Sequence, residues 1–382
     1  MSMALTDLLL LGRGSDLESE RGVSCTGELP EASDPSLVER AQKARAALGS
    51  RALVLGHHYQ RDEVIAFADI TGDSFKLAQA AADQPTAEYI IFCGVHFMAE
   101  SADVLTAPAQ KVILPDLAAG CSMADMATAS QVDECWKVLE SLGVAASTIP
   151  VTYMNSSAAI KSFTGKNGGT ICTSSNAKRA MTWALEQGEK ILFLPDQHLG
   201  RNTAVLGLGL SLEDCVLWNP WKPMGGLTEQ QIRDAKIILW RGHCSVHGRF
   251  SIDSVNEVRE RIPDVKVLVH PECQHEVVAA ADVVGSTEMI IKTIEAAPPG
   301  SKWAIGTELN LVSRLAKKHP DKTIVFLDKT VCYCSTMNRI DLPHLVWIME
   351  SLVNGHLVNQ IQVAPEVAKY SKIALQRMLA LP

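Results

Sequence analysis

The 382-residue chain predicts an α/β fold built from three similar small α/β domains, and three observations carry the prediction. A pattern of strand, helix, strand with helix, and strand runs three times through the chain. The first strand of each copy is apolar and ends in polar residues. Each copy ends in a cysteine, namely Cys121, Cys244 and Cys334.

The first copy reads VLGHHYQ (54–60), GDSFKLAQAA (72–81), IIFCGVHFMAESADVL (90–105) and VILPDLAAGCSMAD (112–125). The second reads VTYMNSSAAIKS (151–162), CTSSNAKRAMTWAL (172–185), ILFLPDQHLGRNTAV (191–205) and IILWRGHCSVH (237–247). The third reads VLVHPECQHEVV (267–278), VGSTEMIIKTI (284–294), WAIGTELNLVSRL (303–315) and TIVFLDKTVCYCSTM (323–337). Tyr59 precedes Cys121 by the same interval as Glu272 precedes Cys334. The middle copy is longer, and its surplus falls in the stretch GLGLSLEDCVLWNPWKPMGG (207–226), which reads as an insertion before the last strand. A period of roughly 60 to 90 residues is too long for a solenoid and points to small domains.

The predicted organisation is an N-terminal extension over 1–36, α/β repeats over 37–125, 126–247 (with the insertion) and 248–340, and closing helices over 341–382. Residues 1–36 carry no repeat element and, after their first dozen positions, are rich in Ser, Glu, Asp and Gly, the composition of a poorly ordered extension or surface arm. The run SLVERAQKARAAL leads as a helix into the first strand, and LPHLVWIMESLVNGHLVNQI and APEVAKYSKIALQRML repeat their apolar residues at helical spacing.

Composition narrows the function classes. With 47% hydrophobic and 20% charged residues the chain has the make-up of an ordinary globular enzyme. A net charge of −8 without a basic stripe argues against nucleic acid as a partner. No segment approaches the roughly 20 apolar residues that cross a bilayer, and the start MSMALTDLLLLGRG lacks a basic n-region and a clear cleavage site, so no membrane and a cytoplasmic location are expected. Ten cysteines are scattered at strand ends and form no compact disulfide framework; reduced thiols, some of them metal ligands, are expected.

In an open α/β sheet the ligand site lies at the carboxyl ends of the strands. There the first strands end in His57, His58 and Tyr59, in Tyr153 and Asn155, and in His270 and Glu272. A single such residue is readily a hydrogen-bonded core group. Recurrence in three copies favours chemistry, because imidazole, phenol and carboxylate cost free energy to bury unpaired. Gly72-Asp73-Ser74, Thr173-Ser174-Ser175-Asn176 and Gly285-Ser286-Thr287 each stand before a helical pattern. Such residues cap helices, and the same helix N-termini bind anions; with the hydroxyls of Ser74, Ser174 and Thr287, a substrate with several negative charges is expected.

No local motif marks Cys121, Cys244 and Cys334, and their equivalence in the repeat is the reason to group them. Three thiolates without a fourth ligand fit a catalytic zinc with an open position or an iron–sulfur cluster with one iron lacking a protein ligand. The cluster suits ligands from three domains better, since it is wide enough to bridge their loops. Cys332 reads as a spare ligand, a redox partner or a structural thiol. Cys25, Cys93, Cys135, Cys172, Cys215 and Cys273 read mostly as small apolar residues, Cys273 least so because it adjoins His270-Pro271-Glu272.

GHHYQ, GDS, AGCSMAD, TYMNSSAAIK, CTSSNA, GHCSVH, HPEC, GST, IGTE and CYCSTMNRIDL, in this order from about residue 50 to 345, resemble the quinolinate synthase family. The resemblance implies a pseudo-threefold arrangement of three α/β domains around a central [4Fe-4S] cluster, one per chain, with Cys121, Cys244 and Cys334 as its three ligands and one open iron. It implies condensation of iminosuccinate with dihydroxyacetone phosphate to quinolinate, with loss of phosphate and water, in de novo NAD biosynthesis. It further implies substrate binding by His57, Ser74, Tyr153, Asn155, Ser174, His270, Glu272 and Thr287. Glu272 is expected to be the base of ring closure, with Tyr59 and His57 assisting triose isomerisation and dehydration. Coupling to aspartate oxidase and a monomeric or homodimeric state belong to the same expectation. Some members end in CxxCxxC where this chain has Cys332-Tyr333-Cys334, so a redox switch built on the longer motif does not transfer. Competing readings are another [4Fe-4S] dehydratase acting on a hydroxy acid, which needs no phosphate site, and a non-enzymatic iron–sulfur carrier or sensor, which tolerates loss of Glu272 and Tyr59.

Overall fold

Among the described residues three sheets organise the chain, each built around the strands of one of the three repeats. The computed structural model describes residues 29–330 and 333–381. Most of the extension expected over 1–36, Cys25, and Cys332 with its expected roles lie outside the described residues. One compact unit comprises the chain through Asp125 together with Cys334–Ala364, and a second comprises Met126–Tyr333 and the segment from Pro365.

The first unit holds β1 (Ala52–His57), β2 (Ile70–Gly72), β3 (Tyr89–Cys93) and β4 (Lys111–Ile113). The second unit holds β5 (Thr148–Tyr153), β6 (Thr170–Cys172), β7 (Lys190–Leu194), β8 (Cys215–Trp218) and β9 (Ile237–Trp240), and then β10 (Lys266–Val269), β11 (Val283–Val284), β12 (Lys302–Gly306) and β13 (Thr323–Phe326). The three sheets share one order, β2-β1-β3-β4, β6-β5-β7-β9 and β11-β10-β12-β13, with parallel neighbours throughout. Parallel strands require crossovers that cover the sheet faces, so the central strands are apolar without alternation. The segments YIIFC of β3 and KILFL of β7 are buried at every position. The sequence pattern had not separated the short second strands β2, β6 and β11 from the helices that follow them.

The insertion of the middle repeat becomes a fifth, edge strand. Its β8 pairs in parallel with β9, and Trp218 at its end is buried in the core that also holds Leu192, Ile238 and Trp240. Gly225 has a left-handed φ of 67°, and a Cβ there would lie 2.4 Å from the Trp218 ring, so glycine is what lets the return turn cover that indole.

The final segment is divided between the units. In the first, the helix Leu342–Val353 packs on Leu37–Leu48, where Arg40 donates to both oxygens of Glu350 at 2.8 and 2.7 Å. A short strand β14 (Gln360–Ile361) then runs antiparallel to β4, an element the helical spacing of this region does not announce. In the second unit, helix Pro365–Leu379 lies on helix Ala158–Lys166. Their closest approach is at Gly165, where a Cβ would sit 2.0 Å from the Tyr370 carbonyl oxygen. In an open helix Gly→Ala gains about 1 kcal/mol of helix propensity. Here the obstacle is backbone, so Gly165→Ala is expected to lower stability by about 1–3 kcal/mol through overpacking. Denaturant titration checks this; a midpoint at or above the wild-type value would contradict the packing argument.

Candidate active site

Because the strands of each sheet are parallel, their carboxyl ends lie along one edge. In the second unit that edge carries a buried polar group. Past the ends of β7 and β9 a parallel bridge joins Asp196 to Gly242, and Gln197 N–H donates to the Gly242 carbonyl at 2.9 Å. A Cβ at Gly242 would meet the Pro195 carbonyl at 2.2 Å, so only glycine permits this approach, and Cys244 follows two positions on. The buried carboxylate of Asp196 accepts Leu199 N–H at 2.6 Å, capping the helix Gln197–Asn202, and the His198 and Cys244 backbone N–H groups also bond to it. Burial, followed by the charge of Glu272, pushes the Asp196 carboxyl well above its ordinary value.

Glu272, past the end of β10, is 1% exposed. Its Oε2 lies 2.7 Å from His247 Nδ1, and the Tyr153 hydroxyl also donates to its carboxylate. His247 sits in the short helix His247–Arg249 three residues beyond Cys244; its Nε2 lies 3.2 Å from Thr307 Oγ1, and its ring stacks on His270 at 4.4 Å between centroids. Burial alone would raise the Glu272 carboxyl. The neighbouring imidazoles of His247 and His270 and the hydrogen bonds from His247 and Tyr153 outweigh it and hold the group below its usual range. Two buried, electrostatically linked carboxyls are thus shifted in opposite directions, Asp196 up and Glu272 down, the kind of shift that separates a proton donor from an acceptor. Burial, with the adjacent His247, pushes His270 down to about 3.

The ligand atoms of Cys244, His247 and Glu272 lie within 4.8 Å of one another, a set able to hold a metal ion. Both His247 nitrogens already face hydrogen-bond partners, so His247 and Glu272 read better as a proton-sharing pair beside a thiol than as the shell of a single ion.

A second local feature recurs in the first unit. His57 ends β1, and its Nδ1 accepts Tyr59 N–H at 3.1 Å; His270 Nδ1 likewise accepts Glu272 N–H at 3.4 Å. With Nδ1 as the acceptor in both rings, Nε2 is left as the nitrogen that carries a proton. The His57 and Tyr59 rings meet edge to face at 4.8 Å. The register pairs His57 with Gly72, so the end of β1 lies beside the start of the helix Ser74–Ala82.

That helix is capped by Asp73, which accepts Lys76 N–H at 2.9 Å, and the helix Thr287–Ala296 by Ser286, which accepts Met289 N–H at 3.4 Å. Capping thus falls to the residue before Ser74 and the residue before Thr287. In the middle repeat the helix starts at Ala177, and its cap residue Asn176 turns its side chain back onto Thr173 N–H at 2.7 Å, leaving Ser174 within the loop.

Two of the cysteine loops share the first unit. Asp116, five residues before Cys121, accepts from Arg339 Nε at 2.7 Å, and Arg339 lies five residues after Cys334. Arg61 donates to the Asn338 carbonyl at 2.9 Å, and Asn338 Nδ2 donates to the Cys334 carbonyl at 3.2 Å. Of the sequence-expected site residues, the first unit carries His57, Tyr59, Ser74, Cys121 and Cys334, and the second carries Tyr153, Asn155, Ser174, Cys244, His270, Glu272 and Thr287. Among the latter, Tyr153, Cys244, His270 and Glu272 form one cluster.

The family model described as Quinolinate synthetase A protein matches residues 39–380. The chain is 73% identical to a quinolinate synthase of Streptomyces coelicolor over 98% of its own length and 96% of the relative's. It is 69% identical to one from Nocardioides sp., covering 100% and 98% of the two chains, and 54% identical to one from Corynebacterium glutamicum, covering 93% and 90%. The chain belongs to the quinolinate synthase family.

For a quinolinate synthase family member the state of the thiols bears on the cofactor. Cys93, Cys135, Cys172, Cys215 and Cys273 are free thiols. Cys93, Cys135, Cys172 and Cys273 are fully buried. Burial pushes the thiol of Cys93 up to about 12, moves those of Cys135 and Cys172 upward as well, and carries Cys273 well above its usual value. Those four suit apolar packing, and Cys273 joins the core of the third repeat. Cys215, which starts the edge strand β8, is half-buried, and burial raises it to about 11. Cys121, Cys244 and Cys334 are half-buried in loops past the last strand of each repeat, the accessibility a metal-binding thiol needs. Thiols in such a setting are chemically suited to iron–sulfur ligation.

The repeat pattern gives no role to His247, Asp196, Thr307 or Asn202 in this quinolinate synthase family site. His247 could have been found from its place three residues after a repeat-ending cysteine. Asp196 could have been found as the charged residue two positions past the apolar strand β7.

Proposed function

We propose that the chain condenses iminosuccinate with dihydroxyacetone phosphate to quinolinate, losing phosphate and water, with a [4Fe-4S] cluster bound by Cys121, Cys244 and Cys334 and one iron left open. The observation that carries the reading is the buried Glu272 carboxylate, held by His247 and Tyr153 within reach of Cys244, in a chain of this family. The common strand order of the three sheets supports a pseudo-threefold arrangement of three domains around the cluster. Small molecules are the partners, with aspartate oxidase as the supplier of iminosuccinate, in the cytoplasm and as a monomer or homodimer. Among the described residues, no helix is long and apolar enough to cross a membrane.

When bound, a cluster with an open iron supplies a Lewis acid for a substrate oxygen. The chain's own residues do the rest. Glu272 accepts a carbon-bound or nitrogen-bound proton of the substrate and shares it with His247 at 2.7 Å. The Nε2–H of His270 and the amide of Asn155 donate to substrate oxygens, while Tyr153, its proton engaged by Glu272, lines the substrate site. His57, through Nε2–H, and Tyr59 assist isomerisation and dehydration of the triose. Ser74, Ser174 and Thr287, at or near helix N-termini, hold the carboxylates and the phosphate. Exclusion of water by the buried residues around Glu272 strengthens each of these contacts.

The test is anaerobic reconstitution followed by supply of both substrates. Quinolinate and phosphate are expected in equal amounts. Dehydration of a hydroxy acid without quinolinate formation, or a colourless active protein containing zinc, would replace this reading.

A further inference from the structure

Glu272 is held by its side chain, and the backbone on both sides of it is held separately. Asn202, at the end of the helix Gln197–Asn202 of the middle repeat, is 4% exposed. Its Nδ2 donates to the carbonyl oxygens of Pro271 and Cys273, both at 2.9 Å, and these two residues flank Glu272. Two carbonyl acceptors identify that atom as the amide nitrogen, so Oδ1 accepts, and it faces His275 Nδ1 at 2.8 Å. The proton of His275 is therefore on Nδ1. Both amide hydrogens and the oxygen of Asn202 are used, and all three bonds end on the segment from Pro271 to His275.

We infer that Asn202, oriented by His275, is a positioning residue for Glu272: it clamps the two peptide carbonyls around the base and so fixes where the carboxylate points. Helix packing does not require this residue type. The helix runs on past Asn202 as a π-turn over Thr203–Gly207, and a small apolar side chain at Asn202 would satisfy the packing while leaving two buried carbonyls without a donor. A base must be held to within a fraction of an ångström of its productive position, and a shift of 1 Å can cost about 100-fold in rate. The inference rests on the reading of Glu272 as proton acceptor.

Asn202→Ala and the isosteric Asn202→Asp, which removes both donors, are compared with Glu272→Gln and with the double variant Asn202→Ala/Glu272→Gln in the cluster-loaded full chain. The single Asn202 variants are expected to lose kcat by up to about 100-fold, with KM and iron content within about twofold of wild type. In the Glu272→Gln background Asn202→Ala is expected to add nothing, because residues acting through one group are not additive. Wild-type kcat in both Asn202 variants while Glu272→Gln is impaired overturns the inference alone, as does a full further loss in the double variant. Full activity of Glu272→Gln overturns the reading of Glu272 and this inference with it. Should the Asn202 variants fail to fold, His275→Ala decides the matter: a smaller loss of kcat at unchanged KM supports the clamp, and unchanged kcat overturns it.

Discussion

Glu272→Gln is expected to retain its iron and sulfide while kcat falls by about 100- to 10,000-fold, the range associated with loss of a general base. Glutamine keeps the shape of the side chain and an oxygen that accepts from His247, so the hydrogen bond now 2.7 Å long survives and the fold is preserved. What disappears is the capacity to take a proton. The carboxyl of the wild type is held below its usual range despite complete burial. The sign follows: a depressed group stays ionised as pH falls through the ordinary carboxylate range, so the acid limb contributed by Glu272 lies below that range, and the activity plateau extends further toward acid than an exposed glutamate would allow. Single-turnover measurement of quinolinate formation against pH checks both statements. Full activity at full cluster content would exclude Glu272 as the base.

Replacement of Cys121, Cys244 or Cys334 by Ser is expected to abolish the brown absorbance and the activity together. These thiols are half-buried and in loops, so their loss leaves no core cavity, and the apo-variants are expected to unfold at wild-type apo-protein denaturant concentrations. Cys215→Ser is the matched control, since Cys215 is also half-buried but starts an edge strand; it is expected to keep colour and rate. Iron and sulfide analysis with spectroscopy on anaerobically purified protein reads the outcome. A Cys244→Ser variant with full cluster content would remove the second repeat from the ligand set. Retained activity in a colourless wild type would turn the assignment toward zinc.

Much of the architecture was open to reading in one dimension because it depends on local patterns. Apolar segments such as YIIFC and KILFL need cover on two faces and announce parallel strands. The polar residues at or just past the ends of the first strand of each repeat, His57, Tyr153 and Glu272, stand out because the preceding residues are apolar, and the recurring cysteines are visible when the copies are aligned. Short strands were harder. β2, β6 and β11 span three residues or fewer and merge into the helix signals that follow. Asn176 was read as part of a helix head, yet its side chain bonds back to Thr173, a choice between two local hydrogen bonds that composition leaves open.

The repeated elements, their polar tips, the capping region before each second helix and the candidate thiols were therefore set by residue order alone, since neighbours in sequence establish periodicity and backbone preference. Which side chains meet at Glu272 was decided by long-range folding. His247, Tyr153 and Asn202 reach that carboxylate or its flanking peptides from distant positions in the chain, and Thr307 meets the far nitrogen of His247. Burial, too, arises only when sheets and helices close over a group: it separates Cys273 in the core from Cys244 in its loop and raises the Asp196 carboxyl, while the imidazoles and hydrogen bonds gathered at the equally buried Glu272 hold that carboxyl down. Solvent exclusion and hydrogen-bond geometry belong to the assembled chain, and they turn an ordinary string of His, Glu and Cys into a site with defined proton positions.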